Sequence, residues 1–169
     1  MKIGLFGGSF DPPHQGHLKI SKEAIYRLSL DELYWCVTKK SPFKDRPFFS
    51  LSSRIKKSKL LTAKEKKIKV KYFENKIKSN NSINLIKYLN KKNIKKKFFL
   101  IIGSDNLINF HKWKNWKMLS KLIKIVVFSR KDYDKKARKS VIVKTVKKII
   151  FIKNKPINIS STQIKKKLT

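Results

Sequence analysis

The sequence predicts an α/β protein: a mostly parallel sheet with helices on both faces. Three observations carry that expectation. Short β-rich apolar runs alternate with segments of helical period. The run Phe98-Phe99-Leu100-Ile101-Ile102 is continuously apolar and stops at Gly103, as a parallel strand buried on both faces should. The first apolar run ends at Gly7-Gly8, a strand followed by a tight loop.

The elements follow in order. Residues 2–6 read as the first strand. Residues 17–28 place Leu18, Ile20, Ala24, Ile25 and Leu28 near a 3.6-residue spacing, a helix. Residues 33–38 give a second strand, Ser50 or Ser52 caps a helix running to Leu61, and residues 68–73 give a third strand. Residues 82–88 read as helix, residues 98–102, 123–128 and 149–152 as strands, and residues 161–168 as a short capped helix. Ligands of such sheets bind outside the carboxyl ends of the strands. Chemistry is therefore expected just after Phe6, Thr38, Ile102 and Phe128.

With 169 residues the chain fits one domain, residues 1–169, large enough to bury about 70% of its unfolded surface. An apolar fraction of 40% with 11% aromatics excludes a disordered polypeptide. No apolar run approaches the ~20 residues of a membrane span, and the start of the chain reads as a strand, not a signal peptide. The lone Cys36 excludes a disulfide framework and a cysteine-based zinc site. The expectation is a soluble cytoplasmic protein with no membrane partner; self-association is left open.

The formal charge of +34 invites a nucleic-acid reading. Of 44 basic residues, however, 39 are Lys and 5 Arg, and they are spread along the whole chain. Readers of bases and phosphates favour the planar guanidinium, so the lysine excess fits a solvated surface and no dedicated nucleic-acid partner.

The first expected site is the loop Gly7-Gly8-Ser9-Phe10-Asp11-Pro12-Pro13-His14-Gln15-Gly16-His17. It lacks both the dinucleotide fingerprint and the P-loop pattern. Its glycines allow close backbone approach to an anion, and His14 and His17 stand where a helix begins, a place that favours phosphate. Two imidazoles can donate to phosphate oxygens as charge moves onto a leaving group. A metal-binding histidine pair and a serine nucleophile are the competing readings. No cysteine stands beside the pair, and no nucleophile elbow accompanies Ser9. At the other end, Ser161 and Thr162 offer hydroxyls and N–H groups at a helix start, a second anion site.

Residues 7–17 resemble the Gly-Gly-[Ser/Thr]-Phe-Asp-Pro-x-His-x-Gly-His signature of nucleotidyltransferases that join an adenylyl group to a phosphate. Ile159-Ser160-Ser161-Thr162-Gln163-Ile164-Lys165 resembles the Ile-Ser-Ser-Thr-x-Ile-Arg motif of the same superfamily. Gly103-Ser104-Asp105-Asn106-Leu107, followed by Phe110-His111-Lys112-Trp113 and Trp116, is similar to a stretch of nicotinate-nucleotide adenylyltransferases. A planar indole suits stacking on a pyridine ring, which favours a substrate role for Trp113. Trp116, three residues further on a helix, and His111 read as packing residues.

The resemblance implies a Rossmann-like nucleotidyltransferase fold and adenylyl transfer from ATP to nicotinate mononucleotide, giving deamido-NAD and pyrophosphate in NAD biosynthesis. It implies catalytic roles for His17, His14 and Lys44. ATP would lie against Gly7, Gly8, Ser9, Phe10, His14, His17, Arg130, Ser161, Thr162 and Lys165, and the mononucleotide against Ser82, Gly103, Asp105 and Trp113. Mg²⁺ would arrive with ATP, because no carboxylate cluster offers a metal cage of its own. Three positions depart from the family pattern: Phe43 replaces a histidine, Asn84 an acid, and Lys165 an arginine. Phosphopantetheine adenylyltransferase shares both end motifs but does not predict the block at 103–116. A basic, non-catalytic nucleic-acid module leaves the histidine loop unexplained.

Overall fold

Six strands, β1 (Lys2–Gly8), β2 (Glu32–Val37), β3 (Ile68–Lys71), β4 (Lys97–Gly103), β5 (Lys124–Phe128) and β6 (Ile149–Ile152), pair in the order β3-β2-β1-β4-β5-β6. All five pairings are parallel. The structure is a computed structural model that describes residues 1–41, 45–154 and 159–167.

Period-two alternation decides which side chains face which layer. On β4, Phe98, Leu100 and Ile102 join one core cluster, whereas Phe99 and Ile101 join the other. On the first face lie α4 (Ser82–Lys92), α6 (Trp116–Leu122), α7 (Asp134–Arg138) and α8 (Val141–Thr145), contributing Ile83, Ile86, Leu89, Leu119, Ala137 and Ile142. On the opposite face α1 (Gln15–Leu28) brings Leu18 and Ala24, and α2 (Leu51–Leu61) packs Leu51, Ile55 and Leu61 at its margin. Helices on both faces of a parallel sheet are thus the observed architecture.

The strand order runs outward in both directions from β1 and β4, which are neighbours. Their connections leave on opposite faces, so a crevice opens between the loops that follow them. Ser50 is the cap of α2, accepting from the Ser53 N–H at 3.2 Å. Four short helices escape the periodicity argument: α3 (Glu74–Ile77), α5 (Ser104–Ile108), α7 and α8 each hold four or five residues. One turn of helix shows no repeat, and its stability comes from packing. Trp113 and Trp116 do not share a helix. A 3₁₀ turn, Phe110–Lys112, ends before Trp113, which is extended, and Asn115 (φ 53°) precedes α6. The last helix, α9 (Ser161–Lys166), is capped by Ser160, with Gln163 answering to its backbone.

Candidate active site

The turn after β1 is held by backbone geometry. His14 caps α1: its Nδ1 accepts from the Gly16 N–H at 3.1 Å, and the His14 N–H donates to Nδ1 of His17 at 3.2 Å. With Nδ1 accepting, the ring N–H lies on Nε2, so both rings are oriented as Nε2–H donors. The rings lie 3.9 Å apart, tilted by 39°. Burial, and then the charge of Arg130, push His14 down to about 4. The ring is therefore neutral near pH 7 and supplies a hydrogen bond rather than a charge. Gly7 is exposed, and a Cβ there would point into open space; the backbone is bare where a ligand can approach.

This turn is fastened to remote parts of the chain. Asp11, 5% exposed, accepts from the N–H groups of Phe48 at 2.8 Å and Phe49 at 2.9 Å, and Lys165 Nζ lies 3.3 Å from it. Burial alone would raise the Asp11 carboxyl, but those N–H bonds and Lys165 hold it below the usual carboxylate range. Ser161 Oγ donates to the Pro12 carbonyl at 3.0 Å. The two ends of the chain thus meet at the rim of the sheet. Arg54, on α2, donates to the carbonyls of Ser9, Thr38, Lys39 and Phe49.

The turn after β4 is built on charge. Arg130, just beyond β5, pairs with Asp105 at 2.6 Å, and its backbone N–H donates to Ser104 Oγ at 2.9 Å and to Asp134 at 3.1 Å. A Cβ at Gly103 would collide with Asp105 Oδ1 and press on Arg130 Cδ at 3.1 Å, so both side chains would have to shift. Asp105 Oδ1 is buried and has no hydrogen-bond partner among the described residues. β1 and β4 are neighbours in the sheet and the charge of Arg130 reaches His14, so this turn and the histidine turn lie side by side. Trp113 is half-buried, its ring stacked on Phe110 with centroids 4.8 Å apart.

Residues 5–167 match the model of the cytidylyltransferase-like family. A relative from Pelagibacter ubique, named probable nicotinate-nucleotide adenylyltransferase, is 48% identical over 169 residues, spanning 98% of this chain and 92% of that one. The chain belongs to the nicotinate-nucleotide adenylyltransferases. A family member from Rhizobium meliloti, with the same printed name, is 38% identical over 131 residues, which is 77% of this chain and 69% of its own. The nicotinic acid mononucleotide adenylyltransferase of Plasmodium falciparum, solved as a complex with NaAD, shares the fold. Its TM-score is 0.81 at 19% identity, over 99% of this chain and 84% of that one.

Against that family pattern, the structure brings His14, His17, Ser9, Ser161 and Lys165 to the histidine turn, and Gly103 and Asp105 to Arg130 beside it. Asp105 and Arg130, assigned from sequence to different substrates, are an ion pair. Phe10, assigned from sequence to the ATP site, is only 2% exposed, its ring stacked on Trp35 at 4.6 Å. The cap of α9 is Ser160, leaving the Ser161 hydroxyl to join the chain ends, while Thr162 is exposed. Ser82 opens α4, where Asn81 is the capping position. Trp116 packs against the core, as expected. Lys44 and Phe43 lie outside the described residues.

Sequence reasoning assigned no role to Asp11 and missed Arg54 altogether. A signal for Arg54 was present. In a chain with 39 lysines, the five arginines are the places to look for a planar, multidentate donor. Arg54 and Arg130 both use that geometry, and Arg138 stacks over Phe151 at 4.4 Å.

Proposed function

We infer that the chain transfers the adenylyl group of ATP to nicotinate mononucleotide, forming deamido-NAD and releasing pyrophosphate in NAD biosynthesis. The observation that carries the residue assignment is the meeting of the chain ends. Ser161 bonds to Pro12, and Lys165 pairs with Asp11, beside two histidines oriented as donors. A triphosphate lying across that rim would meet N–H donors, hydroxyls and lysine, the groups that suit phosphate oxygens.

The mononucleotide phosphate is already anionic at neutral pH, so its oxygen attacks the α-phosphorus of ATP without a general base. The α-phosphorus–oxygen bond to pyrophosphate breaks as the new one forms. Catalysis is then positioning and charge stabilisation. In this reading His17, His14 and Lys44 stabilise the transferring phosphate. The backbone of Gly7, Gly8, Ser9 and Phe10 lies along ATP, Arg130 faces its nucleoside, and Ser161, Thr162 and Lys165 hold its phosphates. Ser82, Gly103, Asp105 and Trp113 receive the mononucleotide, and the unpartnered Oδ1 of Asp105 suits a ligand hydroxyl or N–H.

ATP enters as its Mg²⁺ complex. Among the described residues no three His, Cys, Asp or Glu form a group that could hold a metal ion. The imidazoles, N–H groups and lysine at the rim are donors to phosphate, and the two carboxylates there are paired with Lys165 and Arg130, which fits a metal carried by the nucleotide. Residues 1–169 act in this reading as one nucleotidyltransferase domain in the cytoplasm. No described helix is long and apolar enough to cross a membrane.

The test is pyrophosphate release from ATP with nicotinate mononucleotide, nicotinamide mononucleotide or phosphopantetheine as acceptor. Turnover is expected with the first. Release with phosphopantetheine alone would overturn the substrate assignment.

A further inference from the structure

Among the described residues, Arg54 is the one cation in the set of largest fully buried side chains, 1% exposed on a helix whose other inward residues are apolar or small. A buried guanidinium costs several kcal/mol unless its donors are satisfied. Here Nε donates to Phe49 at 3.0 Å, one terminal nitrogen to Ser9 and Thr38 at 2.5 and 2.8 Å, and the other to Lys39 at 2.9 Å. Four of the five N–H donors are aimed at carbonyls from three separate segments. The Asp11 and Glu74 carboxylates stand close enough to favour its charge.

Two of those segments lead to residues assigned above to phosphate transfer. Ser9 begins the turn that leads to His14 and His17. Thr38 and Lys39 begin the segment that leads to Lys44. Lys39 is also held from its other side: its N–H donates to both carboxylate oxygens of Glu74 at 3.2 Å. One backbone unit therefore sits between a carboxylate on its N–H and a guanidinium on its carbonyl.

We propose that Arg54, seconded by Glu74, is a positioning residue for the transfer step, fixing the spacing between the histidine turn after β1 and Thr38-Lys39, which follow β2. The proposal rests on the adenylyl-transfer reading and names residues that touch neither substrate. A reaction without covalent catalysis depends on the placing of the groups around the phosphate, and a displacement near 1 Å is worth about 10²-fold in rate. An aliphatic side chain would fill the same space but leave four carbonyls without donors.

The test compares Arg54→Lys, Arg54→Ala and Glu74→Ala with the unaltered protein, measuring kcat and KM for ATP and nicotinate mononucleotide well below each variant's Tm. Lysine keeps the charge and loses the fork. Positioning predicts that kcat falls about 10- to 100-fold in both Arg54 variants, and several-fold in Glu74→Ala, with each KM within about threefold. A residue that only anchors α2 lowers Tm and leaves kcat per folded molecule alone. Unaltered kcat in a folded Arg54 variant, or a loss carried by KM only, overturns the proposal. If neither Arg54 variant folds, Glu74→Ala decides on the same terms. An unaltered protein inactive with ATP and nicotinate mononucleotide would overturn the adenylyl-transfer reading instead, and the proposal with it.

Discussion

The turn after β1 and the turn after β4 lie side by side at the centre of the sheet, yet they hold their polar groups by different means. In the first, the imidazoles are fixed by N–H bonds to Nδ1, and the carboxylate of Asp11 is engaged by two N–H groups and Lys165. In the second, Asp105 and Arg130 hold each other through one ion pair, with side chains 18% and 40% exposed, and one carboxylate oxygen is left over. Backbone-fixed groups lose no freedom when a ligand arrives, which suits donors that must meet charge as it develops. A half-exposed ion pair can exchange partners at little cost, which suits recognition of a ligand's edges.

The comparison breaks most readily at His17. His17→Ala is expected to lower turnover by roughly 10²–10³, the effect of losing one aimed donor; near-normal pyrophosphate release would refute the placing of catalysis in the first turn.

His14 gives the next largest effect, read as stability. The unfolded imidazole takes up its proton near 6.5, the folded one only near 4. Between those values the unfolded state binds more protons, so stability rises with pH across the window and is lost as pH falls from 6.5 to 4, by roughly 3 kcal/mol in all. Urea midpoints across that range should show the slope in the parent and a flatter line in His14→Asn. An equal slope in both would mean that the turn is not as buried as described.

The second turn is expected to respond in binding rather than in turnover. Gly103→Ala drives a methyl group against Asp105 and Arg130. The KM for the mononucleotide should rise about tenfold, one hydrogen bond's worth, with kcat little changed. A fall in kcat alone would erase the distinction between the turns. Ser161→Ala is the mildest: removing the bond to Pro12 should cost about 1 kcal/mol in thermal unfolding and weaken ATP modestly.

All six strands were legible, five as apolar runs and β3 as an alternation of Ile and Val with Lys, and all six formed, with ends shifted by at most a few residues. The histidine turn was legible as well, since glycines, a helix start and two imidazoles are local features. What local pattern did not show was the pairing of Asp105 with Arg130, 25 residues apart, or the burial of Phe10 beneath the turn it belongs to. Nor could it separate Arg54 from the other four arginines: scarcity among lysines marked all five alike, and only packing shows which guanidinium is buried.

By itself, then, the sequence determined the strands, the two phosphate-suited ends and the block at 103–116 between them, because those properties reside in neighbouring residues and their backbone. Tertiary structure decided that Ser161 should reach Pro12, 149 positions away, and that one arginine should bind three segments together. The reason is physical: a contact between distant residues is specified by the packing of the whole sheet, whose strand order places β1 next to β4, and by no pattern within either segment.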